Sequence, residues 1–122
     1  MNLTGIEENG VLCVLVESDE PVITDAQSAI DLLMSAQYDV GSKNIVIPKQ
    51  LIVEDFFVLS TGLAGEILQK CVNYGGRMAI YGDYSCYTSK PLKDFMYESN
   101  KGRDFFFVST KDEAIAALAK SR

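Results

Sequence analysis

The sequence contains no histidine, and that absence excludes more chemistry than any motif present can supply. Without an imidazole there is no Ser-His-Asp or Cys-His arrangement, and no side chain whose ordinary pKa suits it to general-base work near neutral pH. Catalysis would fall to a carboxylate, a tyrosine, a lysine or a bound cofactor, and no catalytic residue or cofactor is expected. Cysteine is scarce too: Cys13, Cys71 and Cys86 are odd in number, far apart and without a Cys-x-x-Cys spacing, so no metal site is expected. Basic residues are few. The 11 lysines and arginines, scattered against 17 acidic residues for a net charge of −6, do not form the footprint that nucleic-acid binding requires. Long apolar runs are missing as well; none approaches the ~18 residues of a membrane span. The opening Met-Asn-Leu-Thr-Gly-Ile-Glu-Glu lacks the positive region and apolar core of a signal peptide. The expectation is a cytoplasmic protein that engages neither nucleic acid nor membrane.

What is present is a chain of 122 residues with 48% hydrophobic content, the size of one domain over residues 1–122 with a core of its own. Residues 3–7 and 11–17 flank Asn9-Gly10, a strong hairpin signal because both turn residues tolerate positive φ. Residues 11–16 are apolar throughout rather than alternating, which predicts a central strand covered on both faces and makes Cys13 core. Thr24 with Gln27 fits a capping box opening a helix whose inward face is Ala26, Ala29, Ile30, Leu33 and Ala36 and which ends near Gly41. Asn44 to Ile47 reads as a short strand stopped by Pro48. One helical turn is expected at residues 54–57. Then comes the stretch that organises the chain, in which Ser60-Thr61-Gly62 opens a helix burying Ala64, Ile67, Leu68, Cys71 and Val72. Gly75-Gly76 closes that helix. A strand at 77–81, a helix carrying Leu92, Phe95 and Met96, a strand at 104–108, and a helix capped by Thr110 and Glu113 complete the order.

Strands alternating with helices predict an α/β domain. The expected sheet is mixed, of about five strands: an N-terminal antiparallel hairpin, the remaining strands parallel, and about four helices. Ligands gather beyond the carboxyl ends of parallel strands, where the loops at residues 48–61 and 82–90 emerge. They should bring Glu54, Asp55, Ser60, Thr61, Asp83, Tyr84, Ser85, Tyr87, Thr88 and Ser89 to one rim.

The run Leu59-Ser60-Thr61-Gly62-Leu63 before a helix, Gly75-Gly76-Arg77 before a strand, and the acidic, alanine-rich final helix resemble the STAS domain of sulfate transporters and anti-sigma-factor antagonists. More closely, Glu54-Asp55-Phe56-Phe57, residues 61–70, Tyr87-Thr88-Ser89-Lys90 and residues 95–102 look like the small bacterial "domain of unknown function 4180" family. That second resemblance implies a fold and no activity. The STAS likeness implies a protein-interaction role and a phosphoacceptor turn, Asp-Ser-Ser-Gly, in which Thr61 stands at the modified serine, Ser60 at the first serine and Gly62 at the glycine. Leu59 occupies the aspartate position, so the match to that turn is incomplete.

Each feature also has a plainer role. Ser60 and Thr61 serve as helix caps whatever the protein does, Asp83 suits an Asx turn, and Gly62 and Gly65 permit close packing. Gly62-x-x-Gly65 is neither a dinucleotide fingerprint nor a phosphate-binding loop. Adjacent Phe56 and Phe57 cannot easily face the same way, so one ring is expected in the core and the other on a surface for a partner protein or a second copy of the chain. The leading expectation is an interaction module working through residues 56–61. The rival is a small-ligand site or enzyme at Asp83, Tyr84, Tyr87 and the Ser60/Thr61 helix mouth.

Overall fold

The computed structural model describes residues 1–120. Strand β1 (Asn2–Glu8) pairs antiparallel with β2 (Val11–Glu17) through a turn in which Asn9 has φ 52° and Gly10 φ 77°, the positive values that the Asn-Gly signal predicts. The chain continues through α1 (Ala26–Asp39), β3 (Asn44–Pro48), α2 (Leu63–Asn73), β4 (Arg77–Tyr81), α3 (Lys90–Asn100), β5 (Phe105–Val108) and α4 (Lys111–Lys120). Between β3 and α2 run three short 3₁₀ turns, Lys49–Leu51, Glu54–Phe57 and Leu59–Thr61. The sheet order is β1-β2-β3-β4-β5, with every pair after the hairpin parallel.

That order decides the layers. Three right-handed crossovers advancing in one direction must place α1, α2 and α3 on the same face. Their apolar sides close there over Val14, Val16, Ile45, Ile47, Met78, Ile80, Phe105 and Phe107. Among the described residues only α4 lies on the other face, where Ala114, Ile115, Leu118 and Ala119 cover Val11, Cys13, Val46, Ala79 and Phe106. Thus β2 is covered on both sides, as its unbroken apolar run predicts.

Several local expectations change. The cap of α1 is Asp25, not Thr24: its carboxylate accepts from the Ser28 backbone N–H at 2.8 Å, and the Ser28 hydroxyl accepts from the Asp25 N–H at 3.0 Å. The inward face is centred nearer Leu32 than the spacing suggested, so Leu32 is buried and Ile30 only half-buried. Pro48 ends β3 from within, paired opposite Tyr81. In α2 the buried residues are Ala64, Ile67 and Cys71, while Val72 is exposed. The helix closes as a Schellman turn, with Gly75 at φ 75°, its N–H donating to Val72 O and that of Gly76 to Cys71 O. A Cβ on Gly76 would stand 2.6 Å from Leu33 Cδ2, so this glycine also lets α2 and α1 meet.

Candidate functional site

The loops following β3 and β4 meet at one end of the sheet, as their positions after parallel strands require. Most of the meeting is aromatic. Phe56 and Phe57 lie edge-to-face at 4.9 Å between centroids, Phe57 stacks on Tyr87 at 5.2 Å, and Tyr84 and Phe107 close the group behind them. Neither phenylalanine is left for a surface. Phe56 is 1% exposed and Phe57 3%, because the 3₁₀ turn directs one ring under the crossover and the β4–α3 loop folds over the other. The expectation of one solvent-facing ring therefore fails.

Tyr87 holds that loop down. Its hydroxyl donates to Glu54 Oε2 at 2.6 Å, and Lys49 Nζ stands 4.9 Å from its ring centroid and 5.3 Å from that of Phe57. Burial, then the Glu54 carboxylate, push the Tyr87 phenol well above its ordinary pKa. Tyr84 turns inward: its hydroxyl donates to Ile80 O at 2.7 Å, and burial raises its pKa. Asp83 forms an Asx turn, accepting from the Ser85 N–H at 2.8 Å. The Ser85 hydroxyl and N–H, with Lys49 nearby, draw its carboxyl below the usual range. At the rim the Tyr84 and Tyr87 hydroxyls are engaged by the protein, while Asp83 is exposed with Oδ1 taken by its own turn.

The hydroxyls at the mouth of α2 are unlike each other. Gly62, at φ 78°, is the N-cap residue, in place of Ser60 or Thr61. Thr61 still serves the helix from one position earlier: Oγ1 accepts from the Leu63 N–H at 3.2 Å and shares its proton between Asp55 O and Val58 O, each at 2.9 Å. Ser60 is exposed, and its hydroxyl makes no hydrogen bond among the described residues. Beside it opens a groove of about 440 Å³ lined by Phe57, Val58, Leu59, Ser60, Ser89 and Pro91, running between the starts of α2 and α3. Ser89 caps α3, accepting from the Leu92 N–H at 3.3 Å. Val58, 47% exposed, is the apolar side chain on its lip.

The model of a family described as "Domain of unknown function (DUF4180)" matches residues 8–118. The chain belongs to that family. No curated protein and no solved structure matches it. In this DUF4180 domain the aromatic latch and the groove both fall inside the matched span. Among the described residues no cluster of three or more histidine, cysteine or acidic side chains is placed to hold a metal, and no helix is long and apolar enough to cross a membrane. Cys13 and Cys71 are buried, with burial pushing the Cys71 thiol up to about 11; Cys86 is exposed.

Sequence reasoning included Val58 only as part of the 56–61 stretch, without singling it out, and missed Lys49 and Pro91. Lys49 follows a proline and precedes a polar residue, and nothing in that neighbourhood signals a cation laid across two rings. For Pro91 a signal did exist, since proline in the first turn marks a helix start.

Proposed function

We propose that this domain is a protein-interaction module, STAS-like in its working, whose groove at the mouths of α2 and α3 takes an apolar segment of a partner protein. The observation that carries this reading is the groove itself: Phe57, Val58, Leu59 and Pro91 supply an apolar lining, with Ser60 and Ser89 at its edge. Binding there removes Val58 from water, and a rigid floor of packed rings lowers the ordering cost of association.

The regulatory part of the proposal is a phosphoryl switch at the same mouth. A phosphate brings about −1.5 to −2 charges, and at the start of a helix it meets backbone donors and the positive end of the dipole. Ser60 is the readier acceptor because its hydroxyl is free and exposed. Modification of Thr61, the position aligned with the STAS phosphoacceptor, would break its bonds to Asp55 and Val58 and loosen the turns that shape the groove. The small-ligand reading at Asp83, Tyr84 and Tyr87 gains no support from two tyrosines whose hydroxyls donate within the chain and an aspartate that closes its own turn.

Recovery of partners by the tagged protein from its own cells, quantified by mass spectrometry, tests the proposal. Val58→Asp and Ser60→Asp should each retain the far-ultraviolet spectrum and thermal transition while losing most of the partner recovered by the wild type. Unchanged recovery with both variants refutes the groove reading, and loss with Val58→Asp alone refutes the switch at Ser60.

A further inference from the structure

The two edges of the sheet are finished differently. At the β5 edge, the side-chain amide of Asn100 takes the place of a neighbouring strand: its Oδ1 accepts from the Phe107 N–H at 2.7 Å and its Nδ2 donates to Phe107 O at 3.1 Å. That edge is blocked at its centre. At the β1 edge nothing comparable occurs. The two-residue turn at Asn9-Gly10 joins Glu8 to Val11, which pair across the hairpin; such a turn makes that first pair the hydrogen-bonded one, and alternation along the ladder then directs the N–H and C=O of Leu3, Gly5 and Glu7 away from β2. Among the described residues no side chain or loop backbone bonds these groups.

Soluble proteins protect such an edge with proline, charged side chains, a bulge or a short strand. β1 has no proline, lysine or bulge, and its two charges, Glu7 and Glu8, sit together at the turn end. It runs seven residues, Asn-Leu-Thr-Gly-Ile-Glu-Glu, in unbroken register with β2, and all but Leu3 are exposed. Ile6 is 38% exposed on the α4 side of the sheet.

We infer that the β1 edge is a self-association surface, on which a second copy of this chain adds its own β1 antiparallel, so that one sheet runs through both protomers. The occupant is a second copy because β1 is complementary to itself in the one register that uses the whole strand. A two-fold axis through Gly5 sets Gly5 against Gly5, Leu3 against Glu7, Thr4 against Ile6 and Asn2 against Glu8. The outward-facing groups of Leu3, Gly5 and Glu7 then meet only one another, as bonded pairs that each exchange two hydrogen bonds. Charge is compatible with the same register. Each glutamate faces a neutral residue, and only a slide far enough to set Glu7 against Glu7 brings like charges together, which is unfavourable. Ile6 gains the Thr4 methyl group as a close cross-strand neighbour. This surface lies at the opposite edge from β5 and does not rest on the groove reading.

Sedimentation velocity over a concentration series, with amide hydrogen exchange on the same samples, tests the inference. The wild type should form a dimer in which the Leu3, Gly5 and Glu7 amides are protected. Thr4→Lys combined with Ile6→Lys places like charges opposite each other twice and should weaken association by about tenfold or more. Thr4→Lys combined with Ile6→Glu changes the same exposed positions but places opposite charges together, and should remain a dimer. Circular dichroism of both variants should match the wild type. A wild type that is monomeric throughout overturns the inference. So does a dimer with freely exchanging β1 amides, one that Thr4→Lys/Ile6→Lys leaves intact, or one that both double variants lose alike. An extended segment of a different protein protecting those amides in a chain that stays monomeric would assign the edge to that partner instead.

Discussion

On one face of the sheet three helices close over a layer rich in aromatic rings; on the other, α4 alone covers β2 to β5, largely with alanines. The thick face has material to spare, and there the chain turns three times between β3 and α2 and leaves a groove without opening the core. The thin face has no such reserve. Small side chains bring α4 close to the sheet, and its placement depends on its ends: the Thr110–Glu113 capping box at the start, and near the finish the Arg77 guanidinium donating to Leu118 O at 3.3 Å. A groove on the first face and structural economy on the second follow from where the crossovers were forced to go.

The largest expected effect breaks the thick face at its centre. Phe56→Ala removes a fully buried ring that contacts both Phe57 and Phe107 and should lower stability by about 3–5 kcal/mol in urea unfolding. Leu118→Ala, the matching lesion under α4, should cost about 2–3 kcal/mol, toward the lower end for buried leucine because a lone helix can settle into the space. A larger loss for Leu118→Ala would mean that the thin face, not the thick one, anchors the fold.

Alkaline titration probes the burial of one thiol on the thick face. Cys71 lies on the thick face with its thiol pKa raised from 9.0 to about 11 by burial. A pKa raised in the folded state leaves stability intact below the unfolded value and loses it as pH climbs through the folded one. Between about pH 9 and 11 the protein should therefore lose about 2–3 kcal/mol from this thiol. In Cys71→Ala the transition temperature should start lower and decline less steeply over that range; an alkaline limb as steep as the wild type's would show that Cys71 does not titrate with folding. Tyr84 and Tyr87 on the same face, and Cys13 and Tyr81 on the other, are also raised by burial and add slope of the same sign.

Much of this architecture was legible in the sequence, and the limits of legibility have physical causes. The Asn9-Gly10 turn, the unbroken apolar run of β2 and the box at Thr110 each rest on near-neighbour chemistry, and each appears as read. Asp25 displaced Thr24 because two adjacent residues can both cap and only the helix register decides between them. Phe57 escaped prediction because what buries it, Tyr87, lies in another crossover; local reasoning sends adjacent rings apart, whereas these two meet edge-to-face beneath a loop arriving from β4. The groove is invisible for the same reason, since Val58 and Pro91 become neighbours only after β3 and β4 pair. Self-complementarity of β1 is readable from seven letters, yet it acquires meaning only once the opposite edge is seen to be closed by Asn100.

Helix caps sharpen the comparison at a smaller scale. Thr110→Ala and Asp25→Ala each remove a capping-box partner and should cost about 1 kcal/mol. The thin-face helix, ten residues long and without a helical neighbour, should feel the loss more, with faster amide exchange spreading beyond its first turn. In α1, packed against α2 and the sheet, the increase should stay near the cap. Equal spreading in both helices would remove the argument that α4 relies on its ends.

The smallest effect tests whether the thick face keeps its groove through packing or through one hydrogen bond. Tyr87→Phe preserves the ring stacked on Phe57 and the cation above it while deleting the donor to Glu54. Because that bond lies near water, its loss should cost only about 0.5–1 kcal/mol. Tyr87→Ala, which also strips the cover from Phe57, should cost more and raise the binding of an apolar dye, whereas Tyr87→Phe should leave dye binding as it was. Equal dye binding by the two variants would mean that the hydroxyl, and not the ring, keeps the loop over the phenylalanine. Partner recovery would then be expected to follow the Glu54 bond, making the acidic turn at Glu54 and Asp55 the element that sets the groove's shape.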